Sequence, residues 1–446
     1  MTAAAGVRTA DPNRRPGPLL GLEIEVEVGR VAHGGHCVAR HHGRVVFVRH
    51  ALPGEQVVVR VTEDGGGGYC RGDAVRVLRA SPDRVPAPCP HAGPGRCGGC
   101  DWQHAAGAAQ RRLKAAVVRE QLARLAGLSD VDVDVVALPG GRQGGLLGWR
   151  TRVRFAVTPD GQVGLRRHRS HEVEPVPHCP LATGEVNGAG VGRRRWANAD
   201  AVEVVASTGG DRTVLVTPAT APAVTPAAAA AVTPAAAAAV TPAPAAPGGP
   251  AAVELLGPAE VTELAAGRRW RVAATGFWQV HPAAADALAG CVRELLDPRP
   301  GELALDLYAG AGLFAGVLAE AVGERGQVVA VESNRVAVAD AVANLADLPQ
   351  ASVRQGRVTA GVLRRLGVRP DVAVLDPPRA GAGPAVIRAL LALGPRAVGY
   401  VSCDPAPLAR DVRVALDAGY RLAALRAFDL FPMTHHVECV ALLTPA

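Results

Sequence analysis

The run Leu303-Ala304-Leu305-Asp306-Leu307-Tyr308-Ala309-Gly310-Ala311-Gly312 leaves the chain few folding options. A short apolar stretch that ends in glycines reads as a strand buried on both faces, passing through a tight turn into a helix over 313–322. Val328 to Val331 follows as a second buried strand and closes on an acid, Glu332. Strand, glycine turn, helix, strand and acid in this order describe a nucleoside-binding, Rossmann-like α/β sheet whose acid accepts hydrogen bonds from ribose hydroxyls. Gly310 and Gly312 permit close backbone approach, but the third glycine of a dinucleotide fingerprint is missing. That favours S-adenosylmethionine (SAM), which has no pyrophosphate to cradle.

Two further strands of this region end in reactive groups. Ala373-Val374-Leu375 runs into Asp376-Pro377-Pro378-Arg379 and sets a carboxylate at the edge where such sheets bind ligands. Ala397 to Val401 delivers Ser402-Cys403-Asp404-Pro405, where the proline forbids further ladder pairing. A lone cysteine after a strand is more often an inert core residue than a nucleophile. Cys403 therefore takes its meaning from the groups around it.

The N-terminal part reads differently. Leu22, Ile24, Val26 and Val28 alternate with Glu23, Glu25 and Glu27, the period of a half-buried strand. Val45 to Val48, Gln56 to Val61 and Ala74 to Leu78 are further strands, separated by glycine-rich turns, which together fit a small barrel of the oligonucleotide-binding kind. Cys89, Cys97 and Cys100 form a Cys-x-x-Cys pair with a third cysteine nearby, and Cys179 between Pro177 and Pro180 is the best fourth ligand. Four thiolates suit tetrahedral zinc or a 4Fe-4S cluster equally. Ala108 to Leu125 reads as an amphipathic helix buried through Leu113, Val117, Leu122 and Leu125, with Arg111, Arg112, Lys114 and Arg119 on its surface. In Arg152-Val153-Arg154-Phe155 the arginines share one strand face, a phosphate track over an apolar support.

The formal charge of +7 favours a polyanionic partner, and Lys114 is the only lysine, so arginine carries nearly the whole positive field. Met1 to Pro18 lacks the apolar core of a secretory signal, and no stretch reads as a membrane span. A cytoplasmic location is expected, where nine cysteines argue for metal binding or catalysis. At 446 residues the chain exceeds one typical core. The expected organisation is a disordered tail at 1–18, a barrel at 19–80, a central α+β domain at 81–275 and the SAM-binding domain at 276–446. Within the central domain, Val-Thr-Pro recurs every eight residues among alanines at 216–250, a low-complexity insertion between two strands.

The set Phe277-Trp278-Gln279, Asp306-Leu307-Tyr308, Asp376-Pro377-Pro378-Arg379, Ser402-Cys403-Asp404-Pro405 and His436-Val437-Glu438 resembles the RNA (uracil-C5)-methyltransferase family. The order Gly34-Gly35, Gly43 to Val48 and Pro53-Gly54-Glu55 resembles its TRAM barrel, which with the four cysteines points to the 23S rRNA branch. The resemblance implies a covalent route, with Cys403 adding to uracil C6 and Glu438 removing the C5 proton. It implies that Gln279, Tyr308, Glu332 and Asp376 hold SAM with the Gly310–Gly312 loop, that Phe277 stacks on RNA or the target base, and that the cysteines hold 4Fe-4S rather than zinc. No obligate protein partner and no membrane contact are expected. Asp404 and His281 stand where the family commonly has asparagine. A tRNA uridine substrate and a noncatalytic RNA-binding role are the alternatives; the latter would leave Cys403 and Glu438 without purpose.

Overall fold

The computed structural model describes residues 17–219 and 253–446. Nearly all of the expected N-terminal tail and most of the alanine-rich insertion lie outside the described residues. β1 (Glu23–Val31), β2 (Cys37–His41), β3 (Arg44–Arg49), β4 (Gln56–Asp64) and β5 (Tyr69–Arg79) close into a barrel of order β1-β2-β3-β5-β4. Alternation on β1 turns Ile24, Val26 and Val28 inward and the three glutamates outward. Leu22, expected on the buried face, is exposed. Its backbone N–H donates to Leu19 in a turn that precedes the strand, so the alternation does not reach it. β2 was not anticipated, because Cys-Val-Ala-Arg-His has no apolar run; its pairing to both β1 and β3 nevertheless helps close the barrel.

α1 (Gly107–Gln121) continues through a π-turn to Ala126. Its polar face corrects the sequence reading. Lys114 is fully buried rather than on the surface, with Nζ 2.5 Å from Asp429 and 3.0 Å from the Phe431 carbonyl. The helix is covered on more than one side, so a position opposite the apolar stripe still meets protein. Burial depresses the pKa of the Lys114 ammonium, and Asp429 opposes that shift.

After β6 (Val135–Ala137), a six-stranded sheet is built from β7 (Arg152–Val157), β8 (Val163–Arg166), β9 (Val173–Pro175), β10 (Ala199–Ala206), β11 (Arg212–Pro218) and β12 (Glu254–Leu256), with α2 (Gly184–Gly188) between β9 and β10. β11 and β12 flank the insertion and pair antiparallel. A hairpin, β13 (Glu260–Ala265) with β14 (Arg268–Ala273), leads into the last region.

There the chain alternates α3 (Ala284–Leu296), β15 (Leu303–Leu307), α4 (Leu313–Val322), β16 (Gln327–Glu332), α5 (Arg335–Asn344), β17 (Ala351–Gln355), α6 (Ala360–Leu366), β18 (Val372–Leu375), α7 (Pro384–Leu391), β19 (Ala397–Ser402) and α8 (Pro405–Asp417), then pairs β20 (Tyr420–Asp429) with β21 (Glu438–Pro445). The sheet order is β17-β16-β15-β18-β19-β21-β20-β6. β15 to β19 are mutually parallel, β21 is antiparallel to β19, and β6 adds to the far edge. One core packs α3 and α4 on one face, and the other packs α7 and α8 on the opposite face. Both cores draw on residues before 276: Val118, Leu122 and Val135 in one, Val205, Val261 and Trp270 in the other.

Candidate active site

Parallel strands place their C-terminal ends at one edge of the sheet. Here that edge carries Glu332 closing β16, Tyr308 after β15, Asp376 after β18 and Cys403 after β19. β21 runs the other way, so its first residue, Glu438, arrives at the same edge. Ser402 faces Cys439 across the β19–β21 ladder, and extending that register by one residue sets Cys403 opposite Glu438. Glu438 is pinned on its other side by pairing with Phe428 of β20. Two residues 35 positions apart thus become neighbours through strand register alone.

The electrostatics of this edge are those of crowded acids under poor solvation. Burial raises the carboxyl of Asp376, and burial together with the nearby Asp376 raises that of Glu438 well above the usual range. The Cys403 thiol is pushed up to about 12, by burial first and then by Glu438, while Arg379 pulls it back. A group that holds its proton at rest and sits beside a cation is poised to release it when positive charge arrives. The Arg379 guanidinium also lies 3.2 Å from His436 Nε2. Asp411 of α8 fixes the loop after Asp376: one carboxylate oxygen accepts from the Tyr400 hydroxyl (2.7 Å) and from the backbone of Ala382 (2.9 Å) and Gly383 (3.1 Å).

At the other half of the edge the glycine turn forms an open cradle. Tyr308 adopts a left-handed φ of 66°, a conformation a bulky residue holds only when its surroundings enforce it. A Cβ at Gly310 would meet nothing, so the backbone there faces open space. Glu332 accepts from Gly310 N at 3.0 Å and from the backbone of Ser333 and Asn334, which ties the acid to the turn. Asp306 is buried, and its Oδ1 has no hydrogen-bond partner among the described residues. Burial pushes its carboxyl up to about 8. Its Oδ2 accepts from Ala315 N at 2.8 Å, so one oxygen is left under an open glycine turn, which fits a ligand that brings donors, as an amino-acid-bearing nucleoside does. The sequence marks Asp306 only by its place as an acid inside an otherwise apolar strand. Gln279 lies partly buried in the segment before α3, and Phe277 beside it is 70% exposed.

This edge of the sheet is closed by two distant segments. Asp101, next to Cys100, accepts from His435 N (3.1 Å) and lies 2.7 Å from His435 Nδ1, and the backbone of Asp101 and Trp102 donates to the Met433 carbonyl. The barrel loop at His33–Gly35 joins Cys403, Asp404, Pro405 and His435–Val437 around a cleft that is partly open to solvent. Neither contact was legible in the sequence.

Cys89, Cys97, Cys100 and Cys179 converge on a second, apolar pocket with Arg150 and Gln103 at its wall. Gly99 N donates to Cys97 Sγ (3.4 Å) and Gln103 Nε2 to Cys100 Sγ (3.1 Å). Among the described residues no group of three or more ligating side chains is drawn closely enough to hold a single metal ion. The four thiols instead line a shared space. On the basic face, Arg152 donates to the Gly276 carbonyl and lies 3.8 Å from Glu203, whereas Arg154 is more exposed and reaches Thr217 and Glu203.

Known proteins resemble the chain along most of its length. The TRAM domain model matches residues 19–75, and the tRNA (Uracil-5-)-methyltransferase model matches 368–446, the stretch that holds Asp376, Cys403 and Glu438. A protein-L-isoaspartate(D-aspartate) O-methyltransferase model matches 279–362, around the glycine turn. An uncharacterized RNA methyltransferase of Streptomyces avermitilis is 52% identical over 440 residues, 96% of this chain and 99% of that protein. The 23S rRNA (uracil(1939)-C(5))-methyltransferase of Shewanella frigidimarina is 30% identical, with 97% and 98% of the two chains covered. The crystal structure of the Pyrococcus abyssi tRNA (uracil-54, C5)-methyltransferase with S-adenosyl-L-homocysteine superposes with a TM-score of 0.68 at 23% identity, over 94% of this chain and 100% of that one, and so shares the fold. Fold and site together define a SAM-dependent methyltransferase that acts on RNA. Within that class, the chain belongs to the RNA (uracil-C5)-methyltransferase family. Among the described residues no helix is long and apolar enough to cross a membrane.

Proposed function

We propose that the protein methylates C5 of a uridine in 23S rRNA through a covalent adduct on Cys403. The observation that carries this reading is the β19–β21 register, which sets a thiol against a buried carboxylate at the ligand edge of the sheet. Uracil C5 is too weak a nucleophile to take a methyl group unaided. The Cys403 thiolate adds to C6, and the ring becomes an enolate whose C5 attacks the methyl carbon. SAM supplies that methyl on a sulfonium, whose departure as a neutral thioether drives the transfer. Glu438 then takes the C5 proton, the C5–C6 double bond reforms, and the thiolate leaves. Entry of a sulfonium and a base into this cleft places positive charge and donors against Asp376, Glu438 and Cys403, the direction that lets the thiol and the Glu438 carboxyl ionise before each acts.

Tyr308, Gly310, Gly312, Glu332, Asp376 and Gln279 would hold SAM. Phe277, exposed beside Gln279, would stack on an extruded base or a neighbouring nucleotide, with Arg154 contacting phosphate and Arg152 supporting the Phe277 segment through Gly276. Cys89, Cys97, Cys100 and Cys179 fit a 4Fe-4S cluster: they face a cavity rather than a point, and two of their sulfurs already accept N–H donors. The cluster's part would be to brace the Asp101 segment. Choice of 23S rRNA over tRNA draws on the Shewanella relative and the TRAM barrel. Labelled SAM with separate 23S rRNA and tRNA transcripts tests it. Methyl label in 5-methyluridine of the rRNA alone supports the reading, and label in tRNA alone refutes the substrate.

A further inference from the structure

The loop between β1 and β2 belongs to the barrel, yet it reaches the turn after β19 that carries Cys403 and the loop that leads into Glu438 of β21. His33 Nε2 lies 2.8 Å from Asp404 Oδ1, across 371 positions of sequence. The same oxygen accepts from Ala406 N at 3.0 Å and so caps α8, while the Asp404 carbonyl takes the Ser402 hydroxyl at 3.0 Å. Asp404 is therefore the brace of the turn on which Cys403 sits. On the other side, Gly35 stands at φ 80° with only 2.6 Å between the position of an added Cβ and the His435 side chain. The Trp102 indole donates to the Gly35 carbonyl at 3.1 Å, and Ala32 N to the His36 carbonyl at 2.7 Å, so the loop is held where it is.

We infer that the 32–36 barrel loop is a working wall of the catalytic pocket and that His33 is a positioning residue, holding Asp404 and the Cys403 turn in the reactive arrangement. This rests on the reading of Cys403 as the nucleophile. Two physical effects support it. Three carboxylates face the thiol, those of Glu438, Asp376 and Asp404, against Arg379. The His33 N–H draws the charge of Asp404 away from the sulfur. The bond also fixes the direction of the turn, and small misplacements at a reacting atom are costly in rate. Its contribution to stability is small, since the imidazole is 41% exposed and such pairs contribute little to folding. The barrel would thereby help complete the catalytic pocket.

The test compares wild type, His33→Ala, His33→Gln, Asp404→Asn and the double variant His33→Ala/Asp404→Asn. Covalent capture is measured in a single turnover at saturating SAM, with a saturating 23S rRNA transcript containing 5-fluorouridine. His33→Ala should slow capture about tenfold, with SAM and RNA dissociation constants within about twofold and a melting temperature within about 2 °C of wild type. His33→Gln, whose amide still donates to Asp404, should recover most of the rate. In the Asp404→Asn background, removing His33 should cost less than about twofold, because the partner charge is gone. Capture by His33→Ala at the wild-type rate overturns the inference. So does a defect that appears only as weaker RNA binding, or one that persists undiminished beside Asp404→Asn. Wild type that forms no adduct at all refutes the nucleophile reading instead, and this inference with it.

Discussion

At the scale of single residues, the account turns on protons. The Cys403 thiol, pushed up to about 12, is almost wholly protonated near neutrality in the ligand-free protein. Below that value each pH unit raises the thiolate fraction about tenfold, so alkylation of Cys403 by iodoacetamide in the ligand-free protein should climb from pH 6 to 9 without a plateau. Arg379→Met removes the cation that pulls the thiol down and should slow capture at every pH in that range. Asp306 gives a stability counterpart. Its pKa is raised, to about 8 folded against 3.8 as an ordinary carboxyl, so the native state keeps a proton that the unfolded chain releases. The Asp306 contribution to stability of the ligand-free protein should therefore fall as pH rises from about 4 to 8. Asp306→Asn should gain stability relative to wild type across that range in urea titrations. Lys114 belongs to the same scale: removing it strands a buried Asp429, and Lys114→Ala should destabilise by about 3–5 kcal/mol.

At the scale of elements, the cysteine segment and the loop before β21 behave as one unit. Asp101 holds His435 from the residue next to Cys100, and Met433 receives two backbone donors from the same segment. Asp101→Ala should lower kcat about tenfold or more while leaving the KM for SAM nearly unchanged, because the slackened segment carries Glu438 rather than the nucleoside cradle. Cys179→Ser in anaerobically prepared protein should lower iron and sulfide content together; full zinc occupancy without sulfide would speak against a cluster. The elements themselves were largely legible. Alternation on β1, the apolar runs of β15, β16, β18 and β19, and the glycine turn all follow from period and punctuation. β2 and the burial of Lys114 were not, since both depend on what packs alongside: one strand is recruited by its neighbours, and one helix is covered on its polar side.

At the scale of the whole molecule, the parts are less separable than the sequence implied. The sequence changes character at 276, yet both cores of the eight-stranded sheet include residues from before it, and β6 pairs at its edge. The sequence named Cys403 and Glu438 through motif resemblance; only the antiparallel return of β21 explains why they meet. The His33 and Asp101 contacts had no sequence signal, because nothing local marks a polar residue that finds its partner hundreds of positions away. The formal charge of +7, carried by arginines, belongs to this scale as well. With roughly four phosphates contacted on a single strand, RNA affinity should fall about fifty-fold between 50 and 200 mM salt, measured by filter binding.

The central claim is that one thiol out of nine becomes bonded to the RNA base. Trypsin releases residues 397–410 as a single peptide that holds Cys403 and no other cysteine. The protein is incubated with SAM and 5-fluorouridine-containing 23S rRNA, digested with nuclease and trypsin, and read by mass spectrometry. The account predicts that this peptide carries one methylated fluorouridine, that Glu438→Gln retains the adduct, and that Cys403→Ala abolishes it. A nucleotide found on any other cysteine, or an undiminished adduct in Cys403→Ala, would contradict it.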